Sequence, residues 1–167
     1  MPGPAASPPS AGHDRSSAIA ELFADPLAAA SFLARACAVA PAVEVSLRVL
    51  GYRRTLGWVE RVPRRRRARG VSVGLGERLV RKAYFARSAE GTCLPRSLVQ
   101  YMLHLRDGVP ARLVVGVRRP ANETATPSIE AHAWVEGDTA PPAGSFAPIF
   151  ISGVSDGAPL DPGRRFE

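Results

Sequence analysis

Thiols and imidazoles are scarce in this chain of 167 residues, which has two cysteines and three histidines. Cys93 sits in GTCLPRSL, residues 91 to 98, directly before a stretch that reads as the start of a helix. A thiol attacks as thiolate, and unpaired backbone N–H groups with the helix dipole favour an anion at that end. Pro95 fits the first helical turn, where the missing N–H forfeits no hydrogen bond. The same N–H groups could hold the oxyanion that develops on a carbonyl attacked by Cys93. Such a nucleophile needs a base. His13 lies in a Pro- and Ser-rich lead, and His104 lies eleven residues beyond Cys93, about 16 Å along a helix and out of reach. His132 falls in IEAHAWVEG, a separate strand-like stretch able to pack across the helix start, as a Cys-His pair requires. On residue types alone, buried packing and chemistry both remain open for Cys93.

The elements that would position these groups can be read from spacing. Residues 1 to 17 are Pro, Gly, Ala and Ser with little to bury and are expected to be disordered. Ser16 or Ser17 can cap a short helix through Phe23, and Asp25-Pro26 is a restart with Asp as cap and Pro at the first helical position. Leu27, Phe32, Leu33, Ala36 and Cys37 mark its apolar face, so Cys37 reads as packing. Pro41 is expected to interrupt, with Val43, Leu47 and Leu50 on a second helix closed by Gly51, and a short third helix over 53–62. PRRRRARG, residues 63 to 70, is a basic connector; residues 72 to 88 read as helix with Leu75, Leu79, Val80 and Tyr84 inward. Leu94 to Leu105 is a helix with Leu94, Leu98, Tyr101, Met102 and Leu105 on its apolar face. Three strands follow, at 111–119, 129–137 and about 145–154; Glu130, His132, Trp134 and Glu136 share one face of the second. A hairpin folded about Ala140–Pro141 would set His132 opposite Ile149. Helices followed by an antiparallel sheet make an α+β plan. The expected divisions are the lead at 1–17, a helical region with the basic connector at 18–72, and the core at 73–167.

Composition bounds the partners. Net charge is +7, and Lys82 is the single lysine, so arginine carries nearly all the positive charge and suits bidentate recognition of carboxylates or phosphates. The Arg64–Arg67 run can meet an acidic partner or serve as an exposed connector. Two cysteines outside any CxxC motif give neither a disulfide framework nor a structural zinc site. No basic region precedes an apolar run at the N-terminus, and Arg35, Glu44 and Arg48 break the longest apolar stretch, so a cytoplasmic location is expected. No Gly-rich phosphate loop is present, so ATP is not placed on this chain, and the expectation is of no cofactor and no metal.

CLPRSLVQYMLHLRDGVPARLVVGV, followed after a polar loop by AHAWVE, resembles the transglutaminase-like cysteine peptidases of lasso peptide biosynthesis, the family of the microcin J25 leader peptidase. The resemblance covers roughly residues 45 to 150, including LRVLGYRRTLGWVER upstream. It implies a transglutaminase- or papain-like core, with the nucleophile helix packed on a small antiparallel sheet, and removal of the leader from a ribosomal precursor. It assigns the nucleophile to Cys93 and the histidine to His132. The family's third member, an Asp on the returning strand, falls on Gly144. Asp138 is the preferred substitute, with Glu136, Ser145 and Asp156 as alternatives. Arg96 and Trp134 are substrate-binding candidates. The resemblance also implies a separate leader-recognition protein and an asparagine-synthetase-like cyclase as partners, since helices fill the N-terminal third. Two other readings stand beside this one: an amidase or acyltransferase using the same Cys-His pair, and a catalytically inert basic adaptor.

Overall fold

The computed structural model describes residues 20, 22–64, 70–84, 92–118, 129–137 and 146–152. The expected disordered lead and most of the basic connector lie outside them. Helix α1 spans Pro26–Glu60, α2 spans Val73–Ala83 and α3 spans Cys93–Asp107; strands β1, β2 and β3 are Arg112–Arg118, Glu130–Glu136 and Ala147–Ile151. The α+β plan of helices followed by a small antiparallel sheet is what the chain adopts.

Asp25 starts α1 as expected: its Oδ1 accepts from the Ala28 N–H at 2.9 Å, with Pro26 in the first turn. The inward stripe is Ala29, Phe32, Ala36, Ala40 and Val43, all at most 2% exposed. Leu27 and Cys37, expected on that face, are exposed instead. At 100° per residue, Leu27 lies nearly opposite Ala29, and Cys37 about a quarter turn from Ala36. Pro41 does not interrupt the helix. It is exposed, and the carbonyl that loses its N–H partner belongs to Cys37, also on the outer surface where water can replace the bond. The break comes at Gly51, whose φ of 74° and ψ of 174° suit glycine. Thr55 Oγ1 donates to the Gly51 carbonyl at 2.8 Å and lies 3.0 Å from Ser46 Oγ, so hydroxyls fill the ladder across the kink. By length and composition α1 could cross a membrane, with a mean hydropathy of 1.5 over its most apolar window. Here it packs on α3, and Arg35 from its middle forms a bidentate pair with Asp107 at 2.7 Å for both bonds. Asp107 is 3% exposed, so removing one partner would strand a buried charge at a cost of about 3–5 kcal/mol.

The remaining helices follow the sequence closely. Ser72 Oγ accepts from Leu75 N–H at 3.2 Å, and Leu75, Leu79, Val80 and Tyr84 are buried. Helix α3 is enclosed continuously from Ser97 to Leu105, which makes it the centre of the core. Its polar residues are therefore tied down: Gln100 Nε2 donates to the Val73 carbonyl at 2.9 Å, and Ser97 Oγ to the Ala133 carbonyl at 2.8 Å.

The sheet order is β2-β1-β3, with both pairings antiparallel. The expected β2–β3 hairpin does not form, and His132 faces Gly116 of β1 rather than Ile149. β1 takes the centre because Leu113 and Val114, at 0% and 1% exposure, are the most enclosed strand residues. Pro148, which has no N–H, is confined to the edge strand β3, and Ile149 is the extra residue where the register shifts between Val115 and Gly116. Leu113, Val135 and Phe150 face the helices, and Tyr52 meets Phe150 edge-on at 5.7 Å.

His104 is an exception to this polar accounting. It is fully buried against the Phe32 ring at 5.4 Å, and neither ring nitrogen has a hydrogen-bond partner. Burial lowers its pKa to about 4; the Asp107 carboxylate opposes that shift and Arg35 adds to it. A depressed histidine pKa means the folded state keeps the neutral ring while the unfolded chain takes up a proton below about 6.5. Its stability contribution is thus complete above that pH and is lost as pH falls toward 4. Urea unfolding should show about 2 kcal/mol less stability at pH 5 than at pH 7.5 from this group, and His104→Leu should remove that part of the pH dependence. An unchanged pH dependence in the variant would contradict the assignment.

Candidate active site

Cys93 is the first residue of α3 and is half-buried. Its position follows from the sequence: Thr92 precedes the helix, Pro95 occupies the first turn, and the Arg96 N–H already returns to the Thr92 carbonyl at 3.1 Å. The Thr92 hydroxyl does not cap the helix, which leaves the N–H groups of Cys93 and Leu94 without a side-chain cap. Those are donors that an anion at the thiol could use.

The position of β2 relative to this helix is set by one buried contact, Ser97 Oγ to the Ala133 carbonyl. At the far end of α3, Leu105 and Gly108 line the same cleft as Glu136 and Gly137 of β2. Helix and strand therefore run in the same direction. Eight helical residues from Ser97 to Leu105 advance about 12 Å, and four strand residues from Ala133 advance about 13 Å. Counting back one helical turn from Ser97, about 6 Å, sets Cys93 level with residues 131 to 132.

His132 is exposed on β2, an edge strand, and shares a face with Glu130, Trp134 and Glu136, as the alternation predicts. That face is the one turned away from the helix-facing Leu113 and Val135. The imidazole lies 6.2 Å from the Trp134 ring in a stacked arrangement and 5.5 Å from Phe146. Among the described residues no hydrogen bond joins Cys93 to His132. Trp134 is fixed twice: its Nε1 donates to Glu136 Oε1 at 3.0 Å, and its ring covers Gly116, where an added Cβ would approach within 2.8 Å. Arg118 lies over Phe146 at 4.7 Å and donates to Glu130 Oε2 at 2.6 Å. Arg96 is half-buried on the first turn of α3, with its Nε enclosed and unpartnered among the described residues.

Of the acids considered for the third position, Asp138 and Asp156 lie outside the described residues, as do Ser145 and Gly144. Glu136 is described. It stands four strand residues from His132, about 13 Å, and is occupied by Trp134 and, at 3.9 Å, by Arg112. It cannot reach the imidazole. Glu130, two residues away on the same face, is the nearest described acid along the strand. Sequence reading passed over Ser97, Phe146 and Glu130. Ser97 could have been found from its position one turn after Cys93 on the same side of the helix, while nothing in SFAPIF signalled that Phe146 meets His132.

The sequence model of the transglutaminase-like superfamily matches residues 37–150, from the middle of α1 into β3. The chain belongs to the transglutaminase-like superfamily. That superfamily includes cysteine proteases and transglutaminases, which share cysteine-based acyl chemistry. No curated protein and no solved structure matches the chain. The matched segment contains Cys93, His132, the Ser97 contact, β1, β2 and all but the last residue of β3, so the Cys-His pair lies inside the family region.

Ser97→Ala would leave the buried Ala133 carbonyl without its donor. A loss of about 1–3 kcal/mol in unfolding free energy is expected, measurable by urea titration. A variant as stable as the parent would mean that this bond does not hold β2 to α3.

Proposed function

We propose that this chain is a cysteine endopeptidase that removes the leader from a ribosomally made lasso peptide precursor. One observation carries the reading: a member of the transglutaminase-like superfamily has a cysteine at the first residue of a buried helix, level with a histidine on the neighbouring edge strand. Cys93 attacks the carbonyl carbon at the leader junction, and His132, turned round the outer edge of β2 toward the helix start, takes the thiol proton. The developing oxyanion accepts hydrogen bonds from the uncapped N–H groups at the start of α3. His132 then protonates the leaving amine, and the acyl group remains on Cys93 as a thioester. Water, deprotonated by His132, attacks that thioester and releases the second product with the thiol restored.

The leader-peptide assignment draws on the CLPRSL and AHAWVE motifs in order, joined by GVPARLVVGV. In this reading the chain acts in the cytoplasm with a separate leader-recognition protein and an asparagine-synthetase-like cyclase. Arg96 holds the substrate backbone or a carboxylate, and Trp134 walls the site. Asp138, in the turn after β2, is the proposed orienting group for His132, whose role is to fix the ring rather than to carry the reaction.

Mass spectrometry of a precursor incubated with the protein and its partners tests this. The parent is expected to give leader and core fragments, with Cys93→Ala giving none and His132→Ala at least a hundredfold less, about the range of general-base contributions. Maturation by Cys93→Ala would overturn the nucleophile. Transfer of the acyl group to an added amine in preference to water would move the reading to an acyltransferase.

A further inference from the structure

At the end of α3 opposite Cys93 lies an open cleft of about 470 Å³, whose walls include Arg64, Leu105, Pro110, Arg112, Glu136 and Gly137. Among the described residues its charge is unbalanced. Glu136 commits one oxygen to the Trp134 indole N–H, and its other oxygen is 3.9 Å from Arg112, whose side chain remains 53% exposed. Arg64 is exposed and has no ion-pair partner among the described residues. The negative end of α3 is closed off, because the His104 and Leu105 carbonyls already accept from Val109 and Gly108 at 3.0 and 3.2 Å. Two arginines therefore line the cleft with one partly committed carboxylate, and Leu105 and Pro110 give apolar wall for a short methylene stem.

The same strand that carries His132 forms the cleft wall four residues later, about 13 Å away. From Cys93 to Leu105 in the same wall is about 18 Å along α3, which an extended peptide spans in about five residues. We propose that the cleft is a subsite for an acidic side chain of the peptide substrate, about five residues from the bond under attack; this rests on the peptidase reading. Arg64 and Arg112 would grip the carboxylate, in the geometry guanidinium groups favour. The substrate is thereby narrowed to peptides with a Glu or Asp at that spacing.

The test uses full-length Cys93→Ala protein, so that binding is read without turnover. Two fluorescein-labelled octapeptides are compared by anisotropy, one alternating Glu with Ala and one alternating Gln with Ala. The Glu peptide is expected to bind more tightly. Arg64→Ala with Arg112→Ala should weaken it about tenfold and leave the Gln peptide unchanged, while the exposed pair Arg48→Ala with Arg53→Ala should leave both unchanged. Equal binding of the Glu peptide by the Arg64/Arg112 variant and its parent would overturn the subsite. Equal weakening by the Arg48/Arg53 variant would overturn it too, since the attraction would then come from overall charge. Failure of the parent enzyme to cleave any peptide is a separate result and would strike the peptidase reading.

Discussion

The geometry of the candidate site depends on a single buried hydrogen bond, from the hydroxyl of Ser97 to the carbonyl of Ala133. An edge strand presents unpaired carbonyls along its outer side, and burying one beside an apolar helix would be unfavourable without a donor. Ser97 supplies that donor one turn after Cys93. The contact fixes the sliding register, and with the far cleft shared by Leu105, Gly108, Glu136 and Gly137 it determines which strand residue stands level with the helix start. Helix α3 can serve as the reference because it is enclosed almost throughout its length, held by α1 through Arg35–Asp107 and by α2 through Gln100.

The sheet completes the arrangement from the other side. β1 fills the middle, tied to the segment after β3 by Ser152, whose N–H donates to the Leu113 carbonyl and whose Oγ accepts from the Leu113 N–H. That leaves β2 with one free face, where His132, Trp134 and Phe146 form an aromatic surface flanked by the Arg118–Glu130 pair. Glu136 joins two regions of this face: it holds the Trp134 indole and lines the arginine-walled cleft at the far end. A transglutaminase-like core with a cysteine at a helix start and a histidine on an exposed strand supports the proposed thiolate chemistry.

Much of this was legible in the residues. Leu75, Leu79, Val80 and Tyr84 announced α2, and CLPRSLVQYMLHL announced α3, because apolar residues recur at helical spacing in both. Strand faces followed from alternation in EAHAWVE. The failures have physical causes. Pro41 looked like a break, but its lost bond falls on the outer surface of α1, where water can replace it, and the true kink needed the positive φ of Gly51. Leu27 and Cys37 were read as core because large apolar residues outweighed the alanines that line the inward stripe. The sheet order was missed because adjacency in sequence favours a β2–β3 hairpin, whereas burial of Leu113 and Val114 drives β1 to the centre. The spacing of Ser97 one turn after Cys93 could have marked it, but its partner, the Ala133 carbonyl, could only be seen in three dimensions.

The central claim is that the register sets Cys93 level with His132 at the outer edge of β2 rather than with any residue farther along the strand. Cysteine cross-linking tests it most directly. In a Cys37→Ser background, His132→Cys and Glu136→Cys proteins are each treated with a short bifunctional thiol reagent and analysed by peptide mapping. The account predicts an intramolecular link between positions 93 and 132 and none between 93 and 136. A link to position 136, or none to 132, would contradict it.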